Sequence, residues 1–295
     1  MKKDWEGSTM DRRQWLVWTT SSVAGASALA MPARPPSAAI GLPRPGSLMV
    51  IGGAEDRRGD RLVLRRFVEL CRQPQPRVVV LPSASAFPQI VAGRYEAVLN
   101  ALGVQRVLVV HPETREEADD RLLAAQVATA DGILMTGGDQ GRLAEAVGGT
   151  ALQRAIHHAY EQGACVAGTS AGAAVLSGRM LRARAVDDGF GLLPQVIIDQ
   201  HFTERRRLPR LLRALSQHPD HVGVGVDEDT ALVLRRGRGA EVVGSGGVTV
   251  VDPRAVQGPI GELAPEALMH LPGLRVYRLQ AAAPVDPQVA SLLMG

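Results

Sequence analysis

From Ser47 to Ser170 the chain alternates short uncharged apolar runs with amphipathic stretches, and this alternation restricts the fold more than any other feature. Leu48 to Ile51, Val78 to Leu81, Val107 to Val110, Ile133 to Met135 and Ala164 to Ala167 have the composition of strands buried on both faces. Asp60 to Gln73, Pro88 to Leu102, Thr114 to Thr129 and Leu152 to Gln162 read as the helices between them. Parallel strands need a crossover, and a helix supplies it. The predicted fold class is therefore α/β: a three-layer, mostly parallel sheet with helices on both faces.

After Ser170 the pattern changes. A strand over Val196 to Ile198 and a helix over Pro209 to Ser216 precede short runs broken by glycine: Val222 to Val226, Ala231 to Leu234, Glu241 to Val243 and Val248 to Val251. Leu274 to Leu279 reads as a last strand. These predict a short antiparallel extension. Residues 47–295 are read as a single α/β catalytic domain.

Residues 1–40 are read separately. Arg12-Arg13-Gln14-Trp15-Leu16 is similar to a twin-arginine export signal, although Asp11 stands where Ser or Thr is usual. The stretch Trp15 to Ala30 is too short and polar to span a bilayer, and Ala28-Leu29-Ala30 offers a cleavage site. A proline- and alanine-rich linker, Ala33 to Pro45, follows. The expectation is a protein exported to the periplasm or exterior, with no stable membrane insertion after processing.

Across 295 residues the net charge is only +3 and aromatic residues are few, which argues against nucleic acid as a partner. Cys71 and Cys165 are the only cysteines, and whether they pair is open. No Cys/His spacing suggests a metal, His157-His158 reads as a solvated helix pair, and no cofactor is implied. A homodimer is left open.

Chemistry enters at Gly168-Thr169-Ser170-Ala171-Gly172. A serine on a tight turn from a strand into a helix has its hydroxyl exposed and helical N–H groups beside it. Gly52-Gly53 and Gly137-Gly138 also fall at strand ends, where sites in parallel sheets lie. A serine nucleophile needs a base, and the base an orienting carboxylate. His201 follows a strand, and Asp227, Glu228 and Asp229 all sit between two β runs; the residues alone do not choose among the three carboxylates. Arg205, Arg206, Arg207 and Arg210 follow His201 and read as either a solvated basic face or a binding site for carboxylates.

Taken in order, Ile51-Gly52-Gly53-Ala54-Glu55-Asp56, Thr136-Gly137-Gly138-Asp139-Gln140, the serine motif, Asp199-Gln200-His201-Phe202 with Arg205, Arg207 and Arg210, and Gly223 to Ala231 resemble the cyanophycinases. The resemblance runs from about Ser47 to about Pro253. It implies a serine peptidase fold like that of class I glutamine amidotransferases. It implies Ser170 as nucleophile, His201 as base, Glu228 as its orienter, and the Gly138 and Ala171 N–H groups as an oxyanion hole. Gln140, Asp199, Gln200, Arg205, Arg207 and Arg210 would bind substrate. That substrate would be cyanophycin, a poly-aspartate chain with arginine on each β-carboxyl, cut to β-aspartyl-arginine dipeptides; Asp199 or Glu55 would suit its guanidinium. Three departures bear on polymer preference: Ala173 stands where relatives often carry serine, Arg206 replaces a common glycine, and the stretch from Ser170 to His201 is short. Two other readings are an aspartyl dipeptidase-like enzyme for short peptides and a non-catalytic protein that binds an anionic polymer.

Overall fold

Alternate residues of the first strand, β1 (Ser47–Ile51), serve two different cores. Leu48 and Val50 join one apolar cluster, while Met49 and Ile51 join another. That is the period-two consequence of a pleated strand buried on both sides. In the computed structural model, the described residues are 44–295 except 72, 183, 184, 259, 262, 263 and 295. The twin-arginine motif and the A-x-A site lie outside the described residues.

The chain continues through α1 (Leu62–Leu70), β2 (Arg77–Leu81), α2 (Pro88–Ala101), β3 (Arg106–Val109), α3 (Arg115–Ala118), α4 (Arg121–Ala128), β4 (Gly132–Met135), α5 (Gln140–Val147), α6 (Ala151–Glu161), β5 (Cys165–Thr169) and α7 (Ala171–Ala174). Then come β6 (Arg179–Arg182), β7 (Ala185–Asp188), β8 (Val196–Gln200), α8 (Leu208–Gln217), β9 (Val222–Val226), β10 (Thr230–Arg235), β11 (Gly239–Gly244), β12 (Gly247–Asp252), α9 (Pro265–Leu268), β13 (Arg275–Gln280) and α10 (Pro287–Met294).

The main sheet has seven strands in the order β11-β10-β1-β5-β4-β2-β3. The five from β1 to β3 are mutually parallel, and β10 and β11 add the antiparallel extension. Helices cover both faces. On one side α1 contributes Val63, Leu64, Phe67 and Leu70, and α2 contributes Tyr95 and Leu99. Each such aliphatic or aromatic side chain stabilises by roughly 1.5–3 kcal/mol relative to exposure. On the other side α5, α6 and α10 bury Leu143, Leu152, Ile156 and Leu293.

The later strands hold a finding that the sequence pattern did not foresee. β8, β9, β12 and β13 form a second sheet, ordered β13-β12-β9-β8, rather than extending the first. Its Val196, Ile198, Val224 and Val250 pack into the main core, while Ile197 and Val251 face Leu211 and Leu215 of α8. Both faces being apolar, this sheet can be sandwiched as the first one is. β8 and β9 are parallel, so residues following each lie at the same end.

Three other details differ from expectation. The stretch Thr114 to Thr129 is two helices: the first ends at Asp119, and Asp120 caps the next by accepting from Leu123 N at 2.7 Å. Helix α5 was not foreseen; Asp139 caps it by accepting from Gly141 N and Arg142 N. The hairpin β6–β7 was not foreseen either. Cys71 and Cys165 are buried in one core and are not joined by a disulfide. Burial pushes the Cys71 thiol up to about 12, with nearby Asp131 adding to the effect.

Candidate active site

The carboxyl end of β1 gathers the site. Three successive carbonyls, of Ile51, Gly52 and Gly53, accept from Ser170 N at 3.0 Å, His201 N at 2.9 Å and Asp229 N at 2.9 Å. Turns from β5, β8 and β9 are thereby fixed to one short piece of backbone. Close approach of this kind leaves no room for side chains: a Cβ on Gly52 would lie 1.9 Å from Asp227 O.

Ser170 itself has φ 52° and ψ −111°, a conformation that a residue with a side chain adopts only when its surroundings impose it. The flanking glycines show what imposes it. A Cβ on Gly168 would stand 2.0 Å from Gly172 O, and one on Gly172 would stand 2.2 Å from Met135 O. Strand and helix are thus packed too tightly for anything but glycine on either side of the serine.

Ser170 Oγ lies 3.0 Å from His201 Nε2, and His201 Nδ1 lies 2.5 Å from Glu228 Oε1. A carboxylate only accepts, so Nδ1 carries the proton and Nε2 is left to accept from the serine. The neighbouring carboxylates are occupied elsewhere. Asp227 is buried and accepts from Thr203 N, Thr203 Oγ1, Gly247 N and Arg278. Asp229 accepts from Asp56 N at 2.8 Å and Ser245 Oγ at 3.0 Å. Of the three consecutive acids, Glu228 is the one in contact with the histidine.

The Gly137-Gly138 turn lies against the serine: a Cβ on Gly137 would be 3.3 Å from Ser170 Cβ. Gly138 N bonds no backbone carbonyl among the described residues. Ala171 opens α7, so its N–H has no carbonyl one helical turn earlier to bond. The arrangement can therefore offer two donors to a developing oxyanion.

Beyond His201, the structure brings most of the expected binding residues into one buried polar group. Asp199, fully buried, accepts from Arg207 Nη1 at 2.8 Å and lies 3.2 Å from Arg210 Nε. Burial pushes the Asp199 carboxyl up, against the pull of Arg210 and Arg207; burial likewise lowers the Arg210 guanidinium. Arg207 also donates to Gln200 O at 2.8 Å. Gln200 Nε2 and Arg210 Nη2 are buried without a hydrogen-bond partner among the described residues. Gln140 opens α5 and donates to Leu181 O on β6 at 2.6 Å. Arg205 is exposed and in no ion pair there. Glu55, also buried, accepts from Tyr95 and, at 2.7 Å, from Thr169 Oγ1, next to the nucleophile.

Two features were missed in the sequence: the Thr203–Asp227–Arg278 cluster and the Tyr95–Glu55–Thr169 cluster. Each joins residues far apart in the chain through bonds to a buried carboxylate, and no local pattern marks them.

A profile of peptidase family S51 matches residues 48–242. The chain belongs to that family. This S51 chain is a serine-type peptidase. It is 37% identical over 246 residues to a cyanophycinase of Geminocystis herdmanii, covering 79% of this chain and 90% of the relative. It is likewise 37% identical over 219 residues to one of Trichormus variabilis, covering 70% and 74%. In three dimensions it is similar to a crystal structure of a peptidase from an acI-B1 Actinobacterium, with a TM-score of 0.66 and 24% identity over 82% of this chain and 97% of that one, a likeness of fold. Among the described residues, no helix is long and apolar enough to cross a membrane.

Proposed function

We propose that this S51 peptidase hydrolyses cyanophycin from a chain end to β-aspartyl-arginine dipeptides through an acyl-enzyme on Ser170. Ser170 Oγ attacks the scissile carbonyl while His201 Nε2 takes its proton. Glu228 holds the imidazole and stabilises the imidazolium. The Gly138 and Ala171 N–H groups receive the oxyanion. The same proton passes to the leaving amine, and water then cleaves the ester with His201 again as base.

One observation carries the reading: the continuous relay from Ser170 to His201 to Glu228, at 3.0 and 2.5 Å, near the buried donors Gln200 Nε2 and Arg210 Nη2, which have no hydrogen-bond partner among the described residues. Unpaired buried donors are costly without a ligand to accept from them, which supports a polar, carboxylate-bearing substrate. The relay speaks against a purely binding role, and the cyanophycinase relatives favour the polymer over short peptides.

The test compares kcat/KM on cyanophycin, poly-aspartate and an α-aspartyl dipeptide. Cyanophycin should be cleaved best, with β-aspartyl-arginine as product. Cleavage of the dipeptide with the polymer untouched would establish the dipeptidase reading instead. Export by the twin-arginine route belongs to the same proposal. Replacing Arg12 and Arg13 by lysine should leave the protein in the cytoplasm; unchanged export on fractionation would refute that route.

A further inference from the structure

A second group of arginines lies outside the site just described. Arg57 and Arg58, in the loop after β1, and Arg94 on α2 line a concavity of about 410 Å³ together with Ala97 and Val98. All three arginines are exposed, and none makes an ion pair among the described residues. Three cations around one hollow repel each other, and an anion seated there relieves that repulsion.

The hollow is built rather than incidental. Asp56 Oδ1 accepts from Arg58 N and Gly59 N, both at 2.9 Å, and Oδ2 accepts from Arg61 N at 2.9 Å, which fixes the loop. The Arg57 guanidinium lies over the Tyr95 ring, 5.6 Å from its centre. Tyr95 donates to Glu55, and Glu55 accepts from Thr169, the residue before Ser170. Arg57 is thus linked through Tyr95, Glu55 and Thr169 to the turn that carries Ser170. Ile90 of α2, also exposed, lies on the same helical face as Arg94, four residues before it.

We propose that Arg57, Arg58 and Arg94 form a second anion site, which holds carboxylates of an extended substrate chain away from the scissile bond. This rests on the polymer reading above. A polymer with a carboxylate on every repeat, and repeats at most ~3.6 Å apart along the main chain, presents further carboxylates near the site whenever one end is at Ser170. Planar forks suit them. Exposed pairs are individually weak, so the site acts through several at once.

The experiment uses the full chain and the triple variant Arg57→Gln/Arg58→Gln/Arg94→Gln. A companion, Arg58→Gln/Arg94→Gln, leaves the Arg57–Tyr95 contact in place in case the triple variant folds poorly. Binding of labelled poly-aspartate is measured by anisotropy at two salt concentrations, and kcat/KM is measured on cyanophycin and on the shortest cleaved substrate. We expect poly-aspartate to bind about tenfold more weakly to the triple variant, less so to the companion, with the difference shrinking in high salt. The kcat/KM on polymer should fall about as much, with the short substrate unaffected. Equal affinity for poly-aspartate, or an equal loss on polymer and short substrate, overturns the proposal. So does tighter binding of an oligonucleotide than of poly-aspartate that depends on the same arginines. If the wild-type enzyme leaves cyanophycin intact, the polymer reading fails, and the poly-aspartate comparison still decides the anion site.

Discussion

Gly53 and His201 are packed backbone against ring: a Cβ on Gly53 would stand 2.5 Å from His201 Cε1 and 2.6 Å from Nε2. Nε2 is the atom in contact with Ser170, so the space left by a missing side chain is the space the imidazole occupies. Gly53 also has φ 101°, which a side chain disfavours. Gly53→Ala should push the ring out of line and lower kcat about 10²-fold, the usual cost of a misplacement near 1 Å. Circular dichroism should stay native. A variant with wild-type kcat would show that the ring has room the geometry denies it.

The three consecutive carboxylates separate by role. Glu228→Gln should lower kcat by several orders of magnitude, because it removes the charge that stabilises the imidazolium. Asp229→Asn should act chiefly through the Gly52-to-Asp56 loop, whose Asp56 N it holds, and should spare more of kcat. Loss of activity in Asp229→Asn with Glu228→Gln active would reverse the assignment.

Arg278 on β13 clamps Asp227, which in turn holds Thr203 two residues after His201. Burial opposes ionisation of Asp227, but hydrogen bonds from Arg278, Thr203 and Gly247 prevail and keep its carboxyl below the ordinary value. A depressed folded value means stability that is present above the unfolded carboxylate value, about 3.9, and lost as pH falls below it. Arg278→Ala should therefore cost about 1–3 kcal/mol at neutral pH. That is a drop of several degrees in Tm. The gap from wild type should narrow as pH falls below about 4. A gap that widens in acid would contradict the clamp.

Much of this was legible in the sequence because it is local. Uncharged runs such as Met49 to Ile51 and Leu134-Met135 marked strands buried on both faces, and the glycines around Ser170 marked a turn too tight for side chains. What was not legible is long-range. Glycine-broken runs such as Val222 to Val226 show a strand without showing its partner, so the second sheet stayed hidden. Asp227, Glu228 and Asp229 are chemically near-equivalent in the string; only the three-dimensional placement of Thr203, His201 and Asp56 distinguishes them. Arg207 and Arg210 read as a basic cluster because their buried counter-charge, Asp199, is a strand residue eight and eleven positions earlier.

Arg206 has φ 50°, the left-handed region that glycine enters without cost. Glycine, which the family resemblance leads one to expect there, would adopt this backbone freely. Arg206→Gly should be neutral or stabilising by up to about 1 kcal/mol, because relief of strain offsets the greater freedom of glycine in the unfolded chain. A β-branched residue, as in Arg206→Val, should destabilise. Thermal melting of the two variants checks the sign, and a marked loss in Arg206→Gly would show that the arginine side chain contributes contacts of its own.

If Ser170 and His201 act as one catalytic unit on cyanophycin, the decisive measurement is release of β-aspartyl-arginine by Ser170→Ala, His201→Ala and the double variant. Each single change should lower kcat by several orders of magnitude, and the double variant should be scarcely worse than either, because residues that act as a unit are not additive. A folded Ser170→Ala protein that releases the dipeptide at near the wild-type rate would show that Ser170 is not the nucleophile.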